Sequence, residues 1–238
     1  MHPLDNVIWT ALTTRQAIFA EGSGLARRFL REVTLLSGFE KPDEHGYAAL
    51  AEVVGEGGTA AVFLDRPYES REGWAWIAGA PLLQMVCENA SDATDGANTS
   101  SSNSTPRVVE LGSPESPEML ELTTLTKPGP FGPRTHELGT YLGIRDGNRL
   151  AAMAGERLKV DGFTEVSAVC THPDYLGRGY AALLMSEVMR GIRERGETPF
   201  LHVRGDNARA IALYERLRFR IRYSGHFAVL RREISKSR

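Results

Sequence analysis

Val169-Cys-Thr-His-Pro-Asp-Tyr-Leu-Gly-Arg-Gly-Tyr-Ala-Ala182 joins the end of an alternating segment to two glycines and the start of an amphipathic run. Apolar residues at Ala181, Leu184, Met185, Val188 and Ile192 share one face of a 3.6-residue period, which predicts a helix. Gly196 stops it after Arg193 and Arg195, whose charge favours a helix C-terminus. At the other end, Leu176-Gly-Arg-Gly-Tyr-Ala181 combines free backbone N–H groups, roughly half a positive charge from the helix, and the charge of Arg178. That combination suits a pyrophosphate. An ordinary strand-to-helix turn also uses glycines this way, and Gly177-x-Gly179-x-x-Ala182 fits the dinucleotide-binding fingerprint.

Two features count against a dinucleotide. In that fold the first glycine follows its strand almost at once, whereas His172-Pro-Asp-Tyr-Leu176 intervenes here. An acidic residue should also end the next strand to hold the ribose. That strand, Pro199-Phe-Leu-His-Val-Arg204, ends in Arg204 and Gly205, and Glu197 lies at its other end.

Working outward, Asp206-Asn-Ala-Arg-Ala-Ile-Ala-Leu-Tyr-Glu-Arg-Leu-Arg-Phe219 reads as a second helix, with Asp206 as N-cap and Ala210, Leu213, Tyr214 and Leu217 on one face. Upstream, Phe163 to Thr171 alternates as a strand. Tyr141 to Asn148 and Arg149 to Glu156 form a hairpin, whose turn positions at positive φ are filled from Asp146-Gly147-Asn148. Arg107-Val-Val-Glu-Leu111 alternates, Ser116 to Thr126 reads as a helix, and Pro128-Gly-Pro-Phe-Gly-Pro133 breaks it. The element order after residue 107 predicts an α/β (α+β) fold, a mixed sheet with helices on its faces. Asn89 to Pro106 has no large apolar residue and reads as a flexible polar linker. The expected organisation is therefore 1–88, linker 89–106, and 107–238. In the first part, Leu12 to Phe39 has patchy helical periodicity, while Ala60 to Leu64 and Pro81 to Cys87 look like strands. That mixed α/β half shows no chemical motif; a degenerate second copy of the fold, a lid and a homodimerisation surface all remain open for it.

The 238 residues are 42% hydrophobic and 24% charged with a formal charge of -2, ordinary values for a soluble globular protein and no reason to expect nucleic acid or an anionic membrane as partner. No segment approaches the roughly 20 apolar residues of a membrane span. Met1 to Asn6 lacks the basic-then-apolar pattern of a secretory signal, and the two cysteines are far apart, so a reducing cytoplasmic setting is expected. No His or Cys has metal-ligand spacing, and no metal is expected.

The assembled motifs resemble the GNAT superfamily of acyl-CoA-dependent N-acyltransferases, over roughly Arg107 to Arg232 and most closely from Glu165 to Phe219. Val169-Cys-Thr-His-Pro173 matches the family's strand end, Gly179 and Ala181 match its Arg/Gln-x-x-Gly-x-Gly/Ala loop, and Asn207 and Tyr214 match its downstream signature. Leu176 stands where the loop usually has Arg or Gln, and Arg218 where the family usually has Gly. The resemblance implies that acetyl-CoA is the co-substrate, held by Val169, Cys170, Thr171, Gly177, Arg178, Gly179, Tyr180, Ala181, Ala182 and Asn207. It further implies direct attack by a small-molecule or peptide amine through a tetrahedral intermediate, with backbone N–H groups near Val169 to Thr171 serving as an oxyanion hole.

An amine of ordinary pKa is mostly protonated at neutral pH, so transfer needs a base or a water relay, and the departing thiolate needs a proton. Glu165 stands where some GNAT enzymes carry the base; a sheet carboxylate paired with a nearby arginine is the plain alternative. Tyr214 occupies the family's position for the acid that protonates the CoA sulfur, although its periodicity alone describes a core residue. Asn207 is either a pantetheine contact or a helix cap. Cys170 and His172, two apart on a strand, lack an orienting third group and read as a packed residue and a polar loop residue. In the acceptor-side loop from Lys127 to His136, Phe131, Arg134 and His136 are candidate substrate contacts or parts of a rigid connector. A CoA-binding sensor that keeps the fold without turnover is the competing function.

Overall fold

A computed structural model describes residues 2–88 and 106–234. In chain order its elements are α1 (Val7–Thr13), β1 (Ala20–Glu21), β2 (Ala26–Phe29), β3 (Ser37–Phe39), α2 (Glu44–Val54), β4 (Thr59–Leu64), β5 (Trp74–Val86), β6 (Val108–Leu111) and α3 (Ser116–Thr126). There follow β7 (Tyr141–Asp146), β8 (Arg149–Val160), β9 (Phe163–Thr171), α4 (Tyr180–Glu194), β10 (Thr198–Arg204), α5 (Ala208–Arg216) and β11 (Arg220–Arg232). Among the described residues, β1, β2 and β3 form one small sheet, and eight strands form the main one in the order β4-β11-β5-β10-β9-β8-β7-β6.

The α/β class and the mixed sheet expected from the sequence are present, and α3 and β9 occupy the spans read for them. The periodicity from Leu12 to Phe39 was misleading: α1 ends at Thr13, and three short strands follow. Gly22 and Gly24, at φ 95° and 65°, turn the chain there. Arg28 then pairs across the strands with Glu21, so charged residues that spoil a strand pattern in one dimension become a cross-strand bond. Helix α2 was not anticipated. Asp43 caps it by accepting from Gly46 N at 2.9 Å, and Gly55, at φ 75°, ends it.

The largest departure concerns how the first 88 residues relate to the rest. β5 lies between β10 and β11, and β4 is the edge strand beyond β11. The boundary placed near residue 88 thus divides the chain but not the sheet. The intervening polar stretch, Pro106 excepted, lies outside the described residues.

Alternation along each strand sends residues to two cores. Ala152, Val166 and Leu201 pack with Leu184, Met185 and Val188 of α4 on one face. Leu158, Val160 and Phe200 pack with Ile8 and Leu12 of α1, and Met153 and Cys170 with Met119 and Leu122 of α3, on the other. Each fully buried Leu or Met contributes about 1.5–3 kcal/mol of transfer free energy. Gly38 lets α1 seat closely, since a Cβ there would stand 2.7 Å from Trp9 N.

Candidate active site

The sheet splits at its centre. Parallel β9 and β10 pair only at Phe163/Thr198, Thr164/Pro199 and Glu165/Phe200. Beyond that point β10 stays with β5 as far as Arg204, while β9 follows β8 to Thr171. The two strands therefore part from Val166 and Leu201 onward.

A bulge lies on β9 beside this opening. Ser167 faces Gly155 and Cys170 faces Met153, three steps on β9 against two on β8. Ala168 sits at φ 52°, a left-handed conformation that costs a non-glycine residue roughly 1–2 kcal/mol. Ala168 and Val169 consequently have no partner in the β8 register, and their backbone groups are released from the ladder beside the opening.

The chain then turns through Pro173–Tyr175 into α4. The turn is moored to the hairpin: Tyr175 donates to Asp146 Oδ2 at 2.9 Å, and Arg149 pairs with Asp174 at 3.0 Å and meets His172 Nε2 at 2.7 Å. Gly177 and Gly179, at φ 80° and 78°, give the loop its curl, and Gly179 is the N-cap. The first bond of the helix runs from Leu183 N to Gly179 O at 3.1 Å, and the amides from Gly177 to Ala182 have no partner among the described residues. A Cβ on either glycine would meet nothing within 4 Å, so the space above both is open. Arg178 lies over the Tyr175 ring at 4.8 Å, and Leu176 is 49% exposed, an apolar side chain at the position usually held by Arg or Gln. Donors, dipole, charge and space all fit a pyrophosphate.

Half-buried Val169, Tyr180, Ala210 and Tyr214 pack against one cluster, which puts β9, α4 and α5 around the same opening. No side chain of α5 is fully buried. Burial, reinforced by nearby Cys170, pushes the Tyr214 hydroxyl up to about 12, so it keeps its proton throughout any working pH. Asn207, and not Asp206, caps α5, accepting from Ala210 N at 3.1 Å; Asp206 is taken by Arg204 at 3.0 and 2.6 Å. The cap occupies the Asn207 carbonyl oxygen and leaves its NH2 group. Arg218 has φ 69° in a full Schellman turn, with Phe219 N bonded to Tyr214 O at 3.0 Å and Arg218 N to Glu215 O at 3.0 Å.

Glu165 is fully buried on the α1 face, where the β9–β10 pairing ends. Arg157 holds it with two bonds of 2.8 Å, Leu158 N donates at 3.2 Å, and His202 Nδ1 lies 2.7 Å from Oε1. Burial alone would raise its pKa; the Arg157 charge and hydrogen bonds, with His202, outweigh burial and hold it at about 2. A carboxylate so held is a poor proton acceptor. The row continues sideways: Gln84 Nε2 is 3.1 Å from His202 Nε2, and Arg222 donates to Gln84 Oε1 at 2.9 Å. Arg222, Gln84, His202, Glu165 and Arg157 stand on five adjacent strands. Only Glu165 was singled out from the sequence; the others lie 73 to 138 residues from Gln84 or eight from Glu165, and no local pattern joins them.

Of the acceptor-side candidates, Phe131 packs edge-on to Tyr141 at 5.8 Å, in the cluster that holds Ala168 and Cys170. Arg134 turns onto Glu137 with two bonds of 2.7 Å, and His136 onto Ser113 at 3.0 Å, so neither is brought to the opening. Arg134 N bonds Glu32 O at 2.9 Å, which ties this loop to the first half of the chain. Cys170 is buried under α3 and its thiol is pushed up to about 12 by burial, which keeps it protonated and unreactive. Among the described residues no group of three His, Cys, Asp or Glu side chains is placed to hold a metal ion, and no helix is long and apolar enough to cross a membrane.

The bulged strand, the glycine loop and the capped helix carry the motifs on which the resemblance to the GNAT superfamily of acyltransferases rests. The FR47-like protein family matches residues 141–228. A protein assigned to the GNAT family of acetyltransferases, from Novosphingobium aromaticivorans DSM 12444, is 36% identical over 99% of this chain and 100% of its own, with a TM-score of 0.86. A GCN5-related N-acetyltransferase from Kribbella flavida has the same fold at 16% identity, covering 98% of this chain and 97% of its own, with a TM-score of 0.60. A tandem GNAT protein from the clavulanic acid biosynthesis pathway matches at 12% identity over 89% of this chain and 79% of its own, with a TM-score of 0.56. No curated protein gives a significant match. The chain belongs to the GNAT family.

Proposed function

We propose that the protein transfers the acetyl group of acetyl-CoA directly to a small-molecule or peptide amine. The observation that carries this reading is a coincidence on one strand-loop-helix unit: the β9 bulge at Ala168 lies at the split from β10, and the unpartnered amides from Gly177 to Ala182 follow it. The loop amides and Arg178 bind the pyrophosphate, and the Asn207 NH2 group meets the pantetheine arm. The N–H group of Val169, beside the bulge, stabilises negative charge on the thioester oxygen.

Tyr214 supplies the proton to the departing sulfur. A phenol held at about 12 is a weak donor to a thiolate of ordinary pKa near 8.5. The desolvated groove that raises the phenol raises a thiolate beside it too, which narrows the gap. Glu165 acts by holding its neighbours in place and not as the base itself, because its proton affinity is too low.

Calorimetry with acetyl-CoA and with NADH, followed by thiol release over a panel of amines, tests the reading. Acetyl-CoA binding with release on at least one amine supports it. Binding with no release on any amine points to the sensor, and preference for NADH would overturn the CoA assignment.

A further inference from the structure

On the α1 face, next to the split, lies a cavity of about 210 Å³ enclosed by α1, β3 and the strands β4, β11, β5 and β10. The first half of the chain supplies α1, β3, β4 and β5. His202 lies on its wall, and His202 also bridges to Glu165 where the β9–β10 pairing stops. The cavity therefore abuts the apex of the opening. Ile8, Phe39, Phe63 and Leu82 give it apolar walls on several sides. A cavity of ~150 Å³ accepts benzene, so this one has room for a ring with an arm of about two or three atoms. Asp5 and Asp65 put carboxylates on its wall. His226 also lines it, and its Nδ1 is buried without a hydrogen-bond partner.

The hydrogen bonds around His202 settle its roles. Gln84 Oε1 accepts from Arg222 and Gln84 Nε2 donates to Leu4 O at 3.0 Å, which fixes the amide's orientation. The same Nε2 then donates to His202 Nε2, so His202 carries its proton on Nδ1 and donates it to Glu165, while its Nε2 lone pair is taken by Gln84. Held at both nitrogens, the ring is a fixed part of the cavity wall.

We propose that this cavity is the acceptor site of the transferase, that it takes a primary amine on a short arm from an aromatic or branched apolar body, and that His202, positioned by Glu165 and Gln84, walls the end next to the split. The proposal rests on the acyltransferase reading above. In the step, the amine nitrogen bonds the thioester carbonyl carbon and gives up one proton to solvent. The C–S bond breaks with its electron pair going to sulfur, which takes a proton from Tyr214. Exchange with solvent then restores the Tyr214 proton. The charged or titratable groups facing His202 are Glu165 of β9 with Arg157 of β8 behind it, Arg222 and His226 of β11, Asp5 ahead of α1 and Asp65 after β4.

Phenethylamine is the probe. In the wild-type protein, its titration should move the imidazole NMR signals of His202 and His226 and leave exposed His45 in place; no shift at either would overturn the site. Leu82→Trp fills the cavity from a half-buried position and should raise the phenethylamine KM at least 10-fold with the acetyl-CoA Kd within about twofold. An unchanged KM in Leu82→Trp, with acetyl-CoA bound and acetyl transferred, overturns the cavity assignment alone. Loss of acetyl-CoA binding by the wild-type protein would instead overturn the acyltransferase reading on which it stands.

Discussion

Replacing Glu165 by glutamine isolates what the buried pair with Arg157 does. Both side chains are out of solvent, at 0% and 9% exposure, so the variant leaves a guanidinium buried without its counter-charge. Breaking such a pair from one side costs about 3–5 kcal/mol. The titration gives a consistent figure: a shift from 4.5 to about 2 is about 2.5 pKa units, or roughly 3 kcal/mol of stability at neutral pH. The Gln carbonyl still accepts one bond from Arg157, which places the expected loss near 3 kcal/mol. At about 2–4 °C per kcal/mol for a chain of this size, Tm at pH 7 should fall by roughly 6–12 °C. The sign of the pH dependence follows from the depressed value. The carboxylate's contribution is fully present above its unfolded pKa of 4.5 and disappears as pH falls toward 2. Urea denaturation of both proteins at pH 7, 5, 4 and 3 should therefore show the gap closing below about pH 5. The other depressed acids, Asp5, Glu137, Glu197 and Asp206, are common to both proteins and cancel in the difference. Replacing Arg157 and Glu165 together by methionine should recover most of the stability, because the desolvation cost disappears with the charges. A single variant within 1 kcal/mol of wild type at pH 7, or a gap that does not change with pH, would refute the reasoning.

Three further outcomes are expected. Arg218→Gly relieves a left-handed residue worth roughly 1–2 kcal/mol and gives back roughly 0.4–1 kcal/mol in unfolded-chain entropy, so thermal melts should show a gain of about 1 kcal/mol. Gly179→Ala, at φ 78° with no atom within 4 Å of its new Cβ, should cost only about 1 kcal/mol of stability yet weaken acetyl-CoA at least 10-fold by calorimetry. Equal affinity would mean that the open space is not where the pyrophosphate goes. Tyr214→Phe should lower kcat by about 100-fold and leave the acetyl-CoA Kd within about threefold; an unchanged rate at every pH removes the acid role.

The pieces readable from the sequence are those whose information is local. Helix α4 could be read because its apolar period and its terminal glycines lie within one stretch, and the β7–β8 hairpin because Gly147 marks its turn. The position of β5 could not, since it pairs with β10 and β11 more than 110 residues away, and its middle is exposed on both sides of the alternation. The role of the first half, read as mixed α/β, was hidden for the same reason: two of its strands find their partners in the second.

Two of the site residues that escaped the sequence, Arg157 and Arg222, share one physical cause, the β-bulge. On β8, Glu156 faces Val166 and Lys159 faces Thr164, three steps against two, and the extra residue turns Arg157 onto the face of Glu165. On β11, Ile221 faces Met85 and Tyr223 faces Gln84, which leaves Arg222 as the extra residue and aims it at Gln84. On β9 the bulge at Ala168 frees the backbone beside the split. None of the three carries a glycine to announce it. A strict period of two assigns every residue beyond a bulge to the wrong face, so alternation could bring Glu165 inward but could not find the arginine beside it. A bulge bends its strand and locally interrupts pairing, and two of the three occur on β9, which flanks the opening, and on β8 beside it. The same departures from regular pairing that hide the polar row from the sequence bring it to the apex of the split, and for that reason both readings of the site, the CoA groove and the acceptor cavity, meet at His202 and Glu165.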